Sequence, residues 1–127
     1  MVIIATMTKP TKPSLTYLKF LNLVQSVRKL PDFPAMDAVE ERMMNLFAAS
    51  WQRKQQVTVL QAMDMVHGIS ASTAHRRLKA LRKKGLIALE IDQIDNRIKY
   101  VVPTDLVFKY FNHLGQCLTK AVGRQPG

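Results

Sequence analysis

Residues 70–85 read SASTAHRRLKALRKKG, with six Lys or Arg and no acid between 76 and 84. A run this basic fits a solvated helix face, a disordered tail or a surface that meets phosphate. Its apolar residues separate these readings. Ala74, Leu78 and Leu81 follow at four and three residues and form one stripe. At 100° per residue, Ser72, Arg76, Lys79 and Lys83 take the opposite face, with Thr73, His75 and Arg82 on the flanks. The spacing predicts an amphipathic helix capped by Ser70, running to Lys84 and stopped by Gly85.

The flanks extend this helix into a larger unit. Upstream, QVTVLQAMDMVHG offers Thr58 as a cap, a short helix through Val66 and Gly68 as the stop. Two helices joined through Gly68 and Ile69 make a helix-turn-helix. Downstream of Gly85 the period changes to two: LIALEID, the connection QIDN, then RIKYVVP, a hairpin pattern. Folded about its middle, the hairpin sets Ile87, Leu89 and Ile91 beside Val102, Tyr100 and Ile98, and Glu90 opposite Lys99. Farther out, Ser14 is the expected cap of a helix to about Leu30. A second helix is expected over Met36 to about Lys54, with Val39, Met43, Leu46, Phe47 and Trp51 inward and Asp37, Glu40 and Glu41 at its positive end. A last helix is expected from about Thr104. The predicted fold is mainly α with a small β-hairpin wing.

Composition bounds the function. The 127 residues are 47% apolar, enough for one domain with a real core. No stretch has the apolar length of a bilayer span, and MVIIATM is too short for a signal-peptide core. The single cysteine excludes an internal disulfide framework and fits a reducing, cytoplasmic compartment. The net charge of +10 favours a polyanionic partner, nucleic acid first and an anionic membrane surface second. His67, His75 and His113 are scattered, Cys117 has no ligand partner nearby in sequence, and no glycine-rich phosphate loop exists. Neither an enzyme nor a cofactor is expected. Domain bounds follow: an arm over 1–13, one domain over 14–122 with its DNA-binding lobe at 57–103, and a tail over 123–127.

The outer face of the 70–85 helix begins small and hydrogen-bonding, then becomes long and cationic. Small residues let a helix N-terminus approach base edges and phosphates, and Arg bonds a guanine edge through two donors. The expected DNA contacts are Ser72, Thr73 and Arg76 in the major groove and Lys79 and Lys83 on phosphate, with Ser70 and His75 as further contacts. Arg97 is expected in the minor groove, because a long cation on a hairpin enters that narrow, negative groove, and Lys99 is a further expected DNA contact.

With these residues in view, VTVLQAMDMVHGISASTAHRRLKALRKKGLIALEIDQIDNRIKYVVPTD, residues 57–105, resembles the winged helix-turn-helix of MarR-type bacterial regulators. The resemblance rests on the ISxST helix start, on LxxLxxKGLI leading into the first wing strand, and on DxR near the wing tip. The chain departs from the pattern with Pro103 in place of the usual Leu and without the Gly that often follows the Thr. The resemblance implies a transcriptional regulator in which Asp95 orients Arg97 toward the minor groove. It further implies a dimer made by helices 14–30 and 104–121, in which Tyr17, Phe20, Leu23, Val107, Tyr110, Phe111 and Leu114 meet a second copy. A small-molecule effector is also implied, of a class the residues do not name.

Three functional readings stay open on the sequence. One is a homodimeric, sequence-specific double-stranded-DNA regulator, expected to be a repressor, in a bacterium or encoded by a phage or plasmid. Another is an architectural or replication-associated DNA-binding protein, and the last is a winged-helix protein-interaction module. Salt dependence separates the last from the others, because phosphate contacts weaken steeply with salt.

Overall fold

Every helix whose start the sequence predicts begins on a side chain that accepts a backbone N–H, and those caps fix the element boundaries. The computed structural model describes residues 9–123. Residues 1–8 and 124–127, where most of the expected arm and tail fall, lie outside the described residues. The elements are α1 (Lys12–Arg28), α2 (Ala38–Gln52), α3 (Val59–Asp64), α4 (Ala71–Lys83), β1 (Ile87–Ile91), β2 (Lys99–Pro103) and α5 (Asp105–Ala121). Asp37, Thr58 and Ser70 accept from the N–H three residues on, and Thr104 Oγ1 accepts from Val107 N. At α1 the cap is Thr11 and not Ser14. Pro13 lies in the first turn, where a missing N–H costs nothing, so the helix starts before Ser14.

The chain forms two units, one of α1 with α5 from Tyr110 onward, the other Asp32–Lys109. In the second, α2, α3 and α4 pack with a two-stranded antiparallel hairpin around Met43, Met44, Phe47, Ala74, Leu78, Leu81, Leu86, Ile87, Val101 and Val107. The predicted stripe Ala74, Leu78 and Leu81 is buried as expected. Leu46, expected inward, is exposed, and Met44 and Ser50 are buried in its stead, because the inward face of α2 lies nearer Met43–Phe47. Gly85 ends α4 at φ +79°, a region that favours glycine, whereas α3 ends at Asp64 and not at Val66 as expected, and Gly68, at φ +88°, lies in the turn beyond it.

The hairpin register differs from expectation by one residue. Ile87 pairs Pro103, Leu89 pairs Val101, Glu90 pairs Tyr100 and Ile91 pairs Lys99. A one-residue slip exchanges the two faces of a strand. Val101, not Tyr100 or Val102, therefore shares the core-facing side with Ile87 and Leu89, and Glu90 is not opposite Lys99. Two anchors fix this choice. The Val101 N–H donates to Val57 O at 2.7 Å, part of a short bridge between Thr58 and Tyr100 on the outer edge of β2. The Trp51 indole N–H donates to Val101 O at 3.1 Å.

In the other unit, Val24, Val27, Tyr110, Cys117 and Ala121 are buried, whereas Leu15, Tyr17, Leu18, Leu118 and Val122 stay exposed. Among the described residues no helix is long and apolar enough to cross a membrane.

Candidate nucleic-acid interface

The N-terminus of α4 is a small network of hydroxyls. Ser70 Oγ accepts from Thr73 N at 3.1 Å, donates to Thr73 Oγ1 at 2.9 Å and lies 3.2 Å from Ser72 Oγ. Thr73 Oγ1 also accepts from Arg76 Nη2 at 3.3 Å, which lays that guanidinium back along the helix start. Ser70, Ser72, His75, Arg76, Lys79, Arg82 and Lys83 are all exposed on this element, and Thr73 is half-buried. The predicted residues thus share one outward face.

The other cations of the basic run have different work. Lys84 turns inward: its ammonium donates to Glu40 Oε1 and Oε2 at 2.8 and 2.9 Å and to Ala35 O at 2.7 Å. Glu40 is buried and also accepts the Asp37 N–H at 2.8 Å, closing a capping box. Arg77 Nε sits 3.0 Å from Asp37 Oδ2, a charge contact without an aligned hydrogen bond. The run therefore divides in two. Arg77 and Lys84 bind α4 to the start of α2, and Arg76, Lys79, Arg82 and Lys83 face outward.

The wing turn, residues 92–98, is organised by a residue that sequence reasoning missed. Asp92 Oδ2 accepts the N–H groups of Ile94 and Asp95 at 3.0 and 2.8 Å, and its Oδ1 accepts the Tyr100 hydroxyl at 2.7 Å. The turn is closed by Asp92 N to Ile98 O at 2.9 Å and Ile98 N to Asp95 O at 3.0 Å. Asp95 holds Arg97 through Nε to Oδ1 and Nη2 to Oδ2, both 3.0 Å, and accepts the Arg97 N–H as well. The Arg97 side chain is nonetheless 86% exposed. These bonds set the titration of the turn. The Asp95 N–H, then the Tyr100 hydroxyl, hold the Asp92 carboxyl below its ordinary range. Arg97 does the same to Asp95, and Asp95 in turn raises Arg97. The Asp92 hydrogen bond raises the Tyr100 hydroxyl.

Between α4 and the hairpin lies a cleft of about 250 Å³, with Val59, Leu78 and Leu89 as its apolar lining, Lys79, Arg82 and Lys99 as its cations, and His75 beside them. It joins the predicted helix contacts to the predicted strand contact Lys99 and adds Arg82. The position of Arg82, seven residues after His75 and three after Lys79, was the available signal. Of the residues expected at a dimer surface, Val107 and Tyr110 are buried within the chain itself, Val107 completely. Phe20, Leu23, Phe111 and Leu114 are half-buried and Tyr17 is exposed.

The fold has solved counterparts. The chain is similar to the heme sensor protein PefR from Streptococcus agalactiae in complex with heme, at TM-score 0.55 and 22% identity over 82% of this chain and 65% of that one. It is similar also to apo (heme-free) PefR, at TM-score 0.53 and 22% identity over 86% of this chain and 91% of the other. The fold is a MarR-like winged helix. In this MarR-like fold α3 and α4 are the helix-turn-helix and β1–β2 the wing. A crystal structure described as a MarR-like transcription regulator from Bacillus cereus ATCC 10987 is a more distant likeness, at TM-score 0.48 and 13% identity over 87% of this chain and 77% of that one. The chain spans 65% of the length of the heme-bound PefR chain. No protein-family model and no curated protein matches the sequence.

Proposed function

We propose that the protein is a homodimeric, sequence-specific double-stranded-DNA-binding regulator of transcription, acting as a repressor in the cytoplasm. The observation that carries this is the division of the basic run, which leaves Arg76, Lys79, Arg82 and Lys83 outward on a helix whose N-terminus bears exposed hydroxyls. A helix of this kind enters the major groove with its N-terminal residues on base edges. In this reading Ser70, Ser72, Thr73, His75 and Arg76 read or position bases, and Lys79, Lys83 and Lys99 neutralise phosphate. Arg97, steadied by Asp95, enters the minor groove. Dimerisation is supported by an apolar groove of about 440 Å³ lined by Tyr17, Phe20, Leu118, Ala121 and Val122. A small-molecule effector belongs to the same reading, on the example of PefR, which is a heme sensor.

The test is selection from a pool of random duplex DNA, with the retained fraction sequenced after several rounds. Enrichment of an inverted repeat is the expected result, since a two-fold dimer presents two recognition helices to matching half-sites. Retention without enrichment would replace this reading with the architectural one, which the net charge of +10 also suits. No retention at low salt would overturn both. On the enriched site, Arg76→Ala should cost about 1–3 kcal/mol and relax base preference at one position, whereas Lys83→Ala should weaken all sequences alike.

A further inference from the structure

Hairpin tips are ordinarily polar, built from Gly, Asn, Asp or Ser. This one carries Ile94, 97% exposed, with Ile91 and Ile98 flanking it at 56% and 36%. A single exposed isoleucine is unremarkable on a protein surface. Three at the end of one hairpin, beside an exposed guanidinium, form a feature. The tip is also held in shape. The Ile94 N–H donates to Asp92, whose other oxygen is fixed by Tyr100, and Asp92 N and Ile98 O close the turn below it. Ile94 therefore presents its side chain from a braced backbone, so little backbone ordering remains to oppose its insertion elsewhere.

The surroundings select the partner. The strands that carry the tip lie beside α4 across the cation-lined cleft, so a duplex seated on α4 meets the hairpin on its neighbouring groove. The acids nearest Ile94 are Asp92 and Asp95, and both are engaged, one by backbone N–H groups and Tyr100, the other by Arg97. The cations Arg97 and Lys99 are exposed. A polyanion is thus met by exposed cations, Lys99 and the Arg97 that Asp95 steadies, with an apolar residue at their head. Proteins that bind the minor groove use this combination, a cation on the groove and an apolar side chain pushed between base pairs.

We propose that Ile94 is an intercalating wedge, entering a base step from the minor groove beside Arg97 and kinking the duplex. The inference rests on the DNA-binding reading above. It adds that the wing deforms DNA as well as touching it. The step entered is expected to be pyrimidine–purine, TA or CA/TG, because those steps unstack most easily. Specificity at that position then arises from deformability and needs no hydrogen bond to a base.

The experiment uses the duplexes recovered by the selection, labelled at both ends for energy transfer and carrying 2-aminopurine at the flexible step nearest the outer edge of each half-site. The full chain should shorten the end-to-end distance, as a bend of about 20–90° would, and should raise 2-aminopurine emission as the base unstacks. Ile94→Ala should still bind but lose both signals, and Ile94→Met, which keeps a long apolar side chain, should restore them. Residue 94 is exposed, so neither variant disturbs the core. If the wild type binds without bending, or if Ile94→Ala bends and unstacks the duplex as the wild type does, the wedge is overturned while the DNA-binding reading stands. If no duplex is retained even at low salt, both are overturned.

Discussion

Asp92 has both carboxylate oxygens engaged inside the wing turn, and the pH range of the wing follows from that. The Asp92 and Asp95 carboxyls lie below 3.8, so their contribution is present above that value and is lost as the pH falls through their lowered values. The Tyr100 hydroxyl lies above 10.0, so its contribution is present below that value and is lost as the pH rises through the raised one. Amide resonances of Ile94 and Asp95 should therefore keep their positions from about pH 4 to about pH 10 and shift outside that window. Asp92→Asn should bring the Tyr100 midpoint, read by phenolate absorbance, back toward 10.0; an unchanged midpoint would contradict the hydrogen bond as its cause. Asp95→Asn should free Arg97 to sample several rotamers and weaken duplex binding a few-fold, with Arg97→Ala weaker still. The Asp95–Arg97 pair was anticipated through the family resemblance that DxR carries, and its two bonds span only two residues of one turn. The Asp92–Tyr100 bond was not, since it depends on a strand register that the alternation Ile98, Tyr100, Val102 misassigns by one.

Caps, local signals whose partners lie within a few residues, were read correctly for α3 and α4, as were the stripe and the stop of α4, whereas α3 ends two residues before the expected Val66. Contacts between elements were not. Glu40 looked like a dipole residue in the first turn of α2, yet its carboxylate meets Lys84, 44 positions along the chain. The outer bridge at Thr58 is one pair long and leaves no periodicity to detect. The Glu40–Lys84 bond makes a stability prediction. Glu40→Ala would leave both the Lys84 ammonium and the Asp37 N–H without their partner, and unfolding stability should fall by about 2–4 kcal/mol in urea titration. Arg77→Ala breaks a more exposed pair and should cost about 0.5 kcal/mol. Equal losses in the two variants would show that Glu40 is not the main tie between α2 and α4.

For the molecule as a whole, the terminal helices leave an apolar groove exposed, and the proposed dimer would cover it. Helices α1 and α5 carry more apolar residues than a small winged domain uses, and Tyr17, Leu118 and Val122 remain exposed around the groove they share. Val107 and Tyr110 belong to the chain's own interior, a division the one-dimensional pattern cannot make because both kinds of residue fall on the same helical stripes. If a second copy covers the groove, Leu118→Asp should sediment as a monomer at micromolar concentration while the wild type sediments as a dimer. Both should show the same far-ultraviolet circular dichroism. In the same preparation, duplex affinity should fall steeply from low to physiological salt for the wild type, by an amount set by the phosphates its cations neutralise. A flat salt response would point to the protein-interaction reading.

Trp51 is the chain's single tryptophan, and its indole N–H is bonded to β2 while its ring stands 5.9 Å from that of Phe47. The protein therefore contains its own optical probe. Emission excited at the tryptophan edge comes from one site and reports how the wing is seated on the helical core. Any event that pulls the hairpin away, whether DNA engagement, a ligand or the first step of unfolding, will register there without a label.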